Sequence, residues 1–233
     1  MNSVQIVAQE SGNPVLASKT EQRRAALRVL LVEIAERSMA TNGYPALTAR
    51  ELAREAGCAL GAIYTIFPDM DALVAEVNSR TVARLEAAVA DAFAAAKAND
   101  AKAALSLLGQ TYFQFVLANQ KLWSAIFEVG LGSTKELPQW QIDEHVRLIG
   151  HIVKPLRLLF PNESDERRVL LAKSLFSAVH GIVGLGLQRR FVAVPPEEIS
   201  GQIKFIVEAF CDGIKAREAA AATISDRPAA RNR

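Results

Sequence analysis

The sequence predicts an all-α chain of about nine helices: a three-helix head, a long connecting helix and a C-terminal helical body. Three observations carry this. Apolar residues recur at three- and four-residue spacing along segment after segment, from Leu27 to Ile214. Helix starts and stops punctuate those segments, among them Asn42-Gly43, the Thr48 and Glu51 pair, Gly57, Pro68-Asp69, Asn99-Asp100 and Pro161-Asn162. Half of the 233 residues are hydrophobic, ample for a buried core in one large or two modest domains.

Residues 1–18 mix Ser, Asn, Gly, Pro and Gln without period, which predicts a flexible arm. From Thr20 a stripe of Leu27, Leu30, Leu31, Ile34, Ala35 and Met39 runs to the stop at Asn42-Gly43. Tyr44, Pro45 and Leu47 bridge to Thr48, with Leu47 at the position of a hydrophobic staple. Thr48 with Glu51 three residues on reads as a capping box, the Thr hydroxyl accepting from a free amide and the Glu side chain returning to the Thr amide. Leu52, Ala53 and Ala56 line the helix that follows, and Gly57 suits the left-handed conformation that ends one. After a short turn, 61–67 forms a second short helix, with Ile63, Ile66 and Phe67 packed inward and Gly61, Ala62, Tyr64 and Thr65 outward. Together these make a helix-turn-helix over 48–67, whose outward face is small enough to approach nucleic acid closely.

The run Gly61-Ala-Ile-Tyr64-Thr-Ile-Phe67-Pro-Asp-Met-Asp-Ala-Leu73 resembles the recognition-helix segment of the TetR family of transcriptional regulators. It shares a glycine, Tyr and Phe three residues apart, and a Leu in the next helix; the resemblance covers roughly residues 20–87. It implies a DNA-binding head on a divergent helical body that dimerises and binds a small molecule. The implied function is a transcriptional repressor that binds a palindromic operator as a homodimer and is released by an effector. Its partners are then a double-stranded DNA operator, a small-molecule effector and a second copy of the chain. The expected DNA-binding residues are Thr48, Arg50, Ala59, Leu60, Gly61, Ala62, Tyr64 and Thr65. Thr48 and Tyr64 suit phosphate, while Leu60 and Ala62 suit thymine methyls.

Three positions depart from the family pattern. Ala59 opens the recognition helix where Ser or Thr is frequent, Ala62 replaces a commonly polar residue, and Met70 stands where a basic residue is usual. Without a side-chain acceptor at Ala59 the helix start loses about 1 kcal/mol of capping. These departures keep a second reading open, a helical small-molecule-binding or interaction protein whose head has weak or lost DNA binding. Charge does not decide between them: the net charge is +2, and no broad basic field marks the head. The local cations are Lys19, Arg23, Arg24 and Arg28 near the first helix and Arg50 and Arg54 on the second; for Arg28 and Arg54 the alternative is a solvated mixed-charge face.

Pro68-Asp69 ends the recognition helix and caps the next. Leu73, Val74, Val77, Leu85, Ala88, Val89 and Phe93 keep period to about Ala98, a rod of roughly 40 Å at about 1.5 Å per residue, interrupted by Asn99-Asp100. Leu105, Leu108, Tyr112, Phe115 and Val116 mark a fifth helix; Leu122, Trp123, Ile126 and Phe127 mark a short sixth ended by Gly130. Residues 132–138 are a loop. Trp140, Val146, Ile149, Ile152, Val153, Leu156 and Leu159 mark a seventh helix, kinked at Pro155. The eighth runs over about 164–190, through Leu170, Leu171, Leu175, Val179, Ile182 and Leu185, and the ninth over about 196–219, through Ile199, Ile203, Ile206, Val207, Phe210 and Ile214.

Ser177, Ala178, Gly181 and Gly184 leave a strip of small side chains that admits a close helix neighbour. With the resemblance, this places a dimer contact at Leu175, Ala178, Gly181, Gly184, Ile203 and Phe210. Tyr112, Phe115, Trp123, Phe127 and Trp140 are the candidate lining of an effector pocket, with ordinary core as the alternative. The expected division is a helix-turn-helix domain over 19–87, an effector-binding and dimerisation domain over 88–220 and a frayed tail over 221–233.

No constellation for catalysis appears: no Glu-x-x-His pair, His-Glu-x-x-His, phosphate loop or Gly-x-Ser-x-Gly elbow. Accordingly no enzyme, metal or cofactor is expected. His145, His151 and His180 stand in separate helical turns, and Cys58 and Cys211 read as small buried hydrophobes. No uninterrupted apolar run approaches about eighteen residues, and no secretory signal opens the chain, so a cytoplasmic location without membrane contact is expected.

Overall fold

The computed structural model describes residues 18–96, 100–128, 138–188 and 192–225. The expected arm (1–17), the end of the connecting rod (97–99), Gly130, the 132–137 loop and 226–233 of the expected tail lie outside the described residues. Those described form nine α-helices and two short 3-10 turns, with no strand among them.

Helix α1 (Lys19–Asn42) begins at a complete capping box: Ser18 Oγ accepts from the Glu21 amide at 3.2 Å and the Glu21 carboxylate accepts from the Ser18 amide at 2.7 Å. A 3-10 turn, Tyr44–Ala46, leads to α2 (Ala49–Ala56). Gly57 takes φ 64°, ψ 32° and ends α2, as its lack of a side chain allows, and α3 (Leu60–Ile66) follows. Asp69 starts α4 (Met70–Ala95) by accepting from the Ala72 amide at 2.8 Å. Asp100, expected only as an interruption, caps α5 (Ala101–Ala118), which is followed by α6 (Gln120–Glu128). Helix α7 (Gln139–Leu159) runs on through Pro155 without a break. Helix α8 (Asp165–Leu187) stops short of the expected 190, whereas α9 (Ile199–Ser225) continues past the expected 219 into the segment read as frayed.

These helices enclose two apolar clusters. In the head, Leu31, Ile34, Ala35 and Met39 of α1 meet Leu52 and Ala53, Ile63 and Phe67, and Leu73, Val74 and Val77 of α4. Leu30, expected on the same stripe, sits at its edge and is 40% exposed, while Val32 is buried instead. The head core also includes Leu122 and Ala125 of α6, residues from the middle of the chain that three short helices need to close their core. Asn78 of α4 donates to the Ala125 carbonyl at 3.4 Å on the same contact.

The second cluster joins Leu85 and Val89 of α4 to α5, α7, α8 and α9. Helices α5 and α9 make its most extensive contact, and Gly109 permits it: a Cβ there would lie 2.7 Å from Ile203 Cγ2. At the α7–α8 turn the buried Arg168 guanidinium donates to the Phe160 carbonyl at 2.9 and 3.0 Å and to the Pro161 carbonyl at 2.6 Å, with Asp165 as its counter-ion. It thus satisfies the free carbonyls at the end of α7. Helix α8 is long and apolar enough to cross a membrane by length and composition, yet its Leu171, Ala172, Leu175, Val179 and Val183 face pack into this core.

Leu122→Ala removes a side chain that is 6% exposed from the head core, so unfolding stability should drop by about 2 to 5 kcal/mol. Urea titration checks this, and a loss below about 1 kcal/mol would show that α6 does not complete the head core.

Candidate functional site

Within the helix-turn-helix, Leu52, Ala53, Ile63 and Phe67 turn inward and fix α2 against α3. What remains outside is a continuous face. Thr48, Arg50, Ala59, Leu60, Gly61, Tyr64 and Thr65 are exposed, and Ala62 is half-buried at its margin. Leu60 and Tyr64, four residues apart on one side of α3, are 42% and 50% exposed, so the Tyr64 ring is not core packing. A Cβ on Gly61 would meet nothing within 4 Å; the glycine keeps this face low rather than relieving an internal clash. The Thr65 hydroxyl donates to the Gly61 carbonyl at 3.0 Å, leaving its oxygen lone pairs outward. Ala59 stands at the α3 N-cap with no side-chain bond, as its methyl dictates.

The capping box expected at Thr48 is half made. Thr48 Oγ1 accepts from the Glu51 amide at 3.3 Å, but the Glu51 carboxylate turns to Arg54, accepting from its Nε and guanidinium at 3.1 and 2.7 Å. The charge of Arg54 is therefore engaged, whereas Arg50 has no ion-pair partner among the described residues. Arg24 and Arg28 are redirected too. Arg24 donates to the Thr65 carbonyl at 3.0 Å and Arg28 to the Ile66 carbonyl at 3.3 Å, so two α1 guanidiniums hold the negative end of the recognition helix. Arg28 also lies 4.5 Å over the Phe67 ring and pairs with Glu76 of α4. Their spacing of four residues was visible in the sequence, but their target, some 40 positions downstream, was not.

In the body, α4, α5, α6, α7, α8 and α9 surround a cavity of about 110 Å³ lined almost wholly by apolar atoms. Of the five aromatic residues expected there, Tyr112 and Trp123 line it. Phe115 is buried against Trp123 behind the wall, with ring centroids 6.0 Å apart. Phe127 is 39% exposed and packs on Trp123 and His180. Trp140 lies elsewhere, lining a groove beside Ala72, Ala75 and Ser79 of α4, because the start of α7 faces that helix rather than the cavity. Sequence reasoning missed Leu105, Leu148, Ile149 and Phe176, whose helical period marks them as core without saying which core atoms leave a gap.

Two of the polar groups at this wall, Tyr112 and Trp123, are bonded to each other, and Tyr112 to His180 behind it, while His145 and His151 of α7 also line the space. Trp123 Nε1 donates to the Tyr112 oxygen at 3.0 Å, and the Tyr112 hydroxyl meets His180 Nδ1 at 2.6 Å. Burial pushes the Tyr112 phenol well above its ordinary range, so it stays protonated and donates to His180. Burial also holds the His180 imidazole below its ordinary range, which favours the neutral, accepting ring.

The residues expected at a dimer contact divide. Leu175 lines the cavity at 3% exposure and Ile203 packs on Gly109 at 0%, so both are buried in the body core and not on its surface. Phe210 is half-buried against that core. Ala178 is exposed, and a Cβ on Gly181 would meet nothing within 4 Å, so this part of the strip is open; Gly184 has the His180 ring beside it at 3.8 Å.

A helical head presenting an exposed second helix above a hollow helical body is the architecture of a helix-turn-helix transcriptional regulator. Residues 31–77 match the family model for bacterial regulatory proteins of the tetR family, and residues 105–210 match that for a tetracyclin repressor-like C-terminal domain. The chain belongs to the TetR family. Solved structures with the same fold include a protein of unknown function from Rhodococcus sp. RHA1, 23% identical, with 86% of this chain and 97% of that one covered at a TM-score of 0.64. A putative transcriptional regulator from Pseudomonas aeruginosa PAO1 is 24% identical, with coverages of 85% and 93% and a TM-score of 0.60. A TetR transcriptional regulator from Rhodococcus sp. RHA1 is 16% identical, with coverages of 82% and 97% and a TM-score of 0.56. Among curated proteins no match is found. No group of three or more His, Cys, Asp or Glu among the described residues is placed to hold a metal ion.

The two kinds of arginine predict different salt behaviour. Arg50→Ala should weaken binding of duplex DNA and reduce the slope of log affinity against log salt by about 1, as loss of one phosphate contact does. Arg28→Ala should weaken binding with the slope unchanged, because it releases the end of α3 rather than a counter-ion; a changed slope would place Arg28 on phosphate instead.

Burial depresses His151 and His180, so the unfolded chain takes up their protons first as pH falls below about 6.5. Their contribution is complete above that pH and is lost as pH drops toward the folded values. Urea stability should therefore fall as pH drops through about 6.5, and less steeply in His180→Gln.

Proposed function

We propose that this regulator is a repressor that binds a palindromic operator as a homodimer and is released by a small-molecule effector held in the body cavity. The observation that carries the reading is the position of α6, whose Leu122 closes the head core while the adjacent Trp123 walls the cavity. A ligand beside Trp123 changes the environment of a helix on which the head is seated. If that ligand binds better to the head orientation that misfits DNA, it lowers operator affinity by the difference. In this reading residues 19–87 read DNA and 88–220 dimerise and take the effector, in the cytoplasm, with no membrane partner.

DNA contact rests on the exposed face of Thr48, Arg50, Leu60, Gly61, Tyr64 and Thr65. One such head reaches only a few base edges, and two on a twofold axis occupy successive major grooves about 34 to 36 Å apart. Dimerisation is supported by large apolar side chains left exposed on α8 and α9, Leu170, Leu185 and Phe205 at 54%, 46% and 61%, and by the small Ala178 and Gly181 on α8.

Sedimentation should give a dimer, and selection from random duplex DNA should return an inverted repeat with half-sites about one helical turn apart. Gly181→Trp should convert the dimer to monomer and abolish preference for the repeat. A monomer that selects no sequence would instead leave the head without a reading function. Compounds that raise Tm should weaken operator binding in the same protein, and the release reading fails if none does both.

A further inference from the structure

The lining of the body cavity defines the class of molecule it takes. Of its sixteen lining residues only Tyr112, Trp123, His145 and His151 carry polar side-chain atoms, and Tyr112 and Trp123 are already bonded to each other. His145 Nδ1 lies 2.6 Å from the Gln141 carbonyl, to which it donates, so Nε2 is the ring nitrogen left for a ligand. Desolvation, helped by nearby Lys154, depresses His151 and keeps it uncharged near neutral pH. No Lys, Arg, Asp or Glu lines the space. Lys154 and Glu86 act on His151 from outside the lining, and Glu86 is paired with Arg147 at 3.3 Å.

A carboxylate, phosphate or ammonium inside would thus be stripped of water with no counter-ion to replace it. Size narrows the class further. The cavity measures about 110 Å³, somewhat below the roughly 150 Å³ of an apolar protein cavity that stays dry and accepts benzene. Water needs two to four polar partners to reside in such a space, and away from the two α7 histidines these walls supply none. An apolar molecule therefore enters without displacing well-bound water.

We infer that the cavity binds an uncharged, mainly hydrocarbon molecule about the bulk of one aromatic ring, bearing at most one hydrogen-bonding group directed at the α7 histidines. The proposal rests on the effector reading of this cavity and adds the chemistry of the effector. Anionic metabolites, nucleotides and cationic compounds bind the site more weakly than an uncharged molecule of the same bulk.

The test uses the full chain carrying Trp140→Phe, which leaves Trp123 in the cavity wall as the one tryptophan. Toluene and benzoate share a ring and differ in charge. Toluene should change Trp123 emission saturably and raise Tm, and benzoate should bind at least about tenfold more weakly. Ile152→Phe, which fills part of the space, should weaken toluene by a similar factor while helical circular dichroism is retained. Should that variant misfold, the toluene and benzoate comparison on the parent stands by itself. Equal binding of both probes, or no response to toluene in either emission or Tm, overturns the proposal. Operator affinity is measured separately. Toluene bound with operator affinity unchanged refutes effector release and leaves the ligand class standing, whereas operator release by a charged compound at this cavity, with toluene unbound, refutes the class and leaves release standing.

Discussion

Leu122 and Trp123 are neighbours on one short helix, and the fold needs them in different cores. Successive residues on an α-helix point about 100° apart, so α6 serves both only while wedged between α1 and α4 on one side and α5 on the other. The requirement is strict because neither core closes without it. Helices α2 and α3 have eight and seven residues, too few to cover Leu31, Ile34 and Met39 of α1. On the body side Trp123 packs edge-on to Tyr112 at 5.4 Å and completes a row of aromatic rings reaching Phe176 and His180. Head and body are thus joined by packing as well as by the continuous α4 rod, and a change at the cavity wall has a physical route to the base of the DNA-reading unit.

The reading face depends on restraint from behind. Helix α3 is seven residues long, lacks a side-chain N-cap and carries a glycine near its start, so its intrinsic stability is low. Ile63 and Phe67 anchor it to the core, and the guanidiniums of Arg24 and Arg28 hold its C-terminal carbonyls. Cations that a charge census counts toward phosphate thereby organise the protein instead. This fits the small net charge: no broad positive field is left to carry affinity for DNA, and the reading face has to rely on shape and a few local contacts.

The body shows the complementary strategy. Its polar groups are turned into mutual hydrogen bonds, Trp123 to Tyr112 to His180 and Arg168 to the end of α7, so the space between the helices stays apolar. Gly109 draws α9 against α5, while Ala178 and Gly181 leave a low surface on the far side of α8. Small residues serve close packing between helices in one place and an open face in another, and the two uses look alike in a sequence.

Much of this protein was legible from its residues alone. The helices, the glycine ending α2, the Asp69 cap, the helix-turn-helix and the exposure of Leu60, Gly61, Tyr64 and Thr65 follow from caps and periods that act over three or four residues, a range the chain order displays directly. Other features depended on side chains brought together from distant positions. Glu51 had two partners within reach and chose Arg54 over the Thr48 amide. Arg28 met the end of a helix 38 positions away, Leu175 and Ile203 turned into the body core, and Trp140 faced α4 instead of the cavity. Local hydrogen bonding and periodicity determined which segments are helices and which faces are apolar. Only tertiary packing decided which apolar face meets which, because that choice is made by the mutual fit of volumes that no single segment contains.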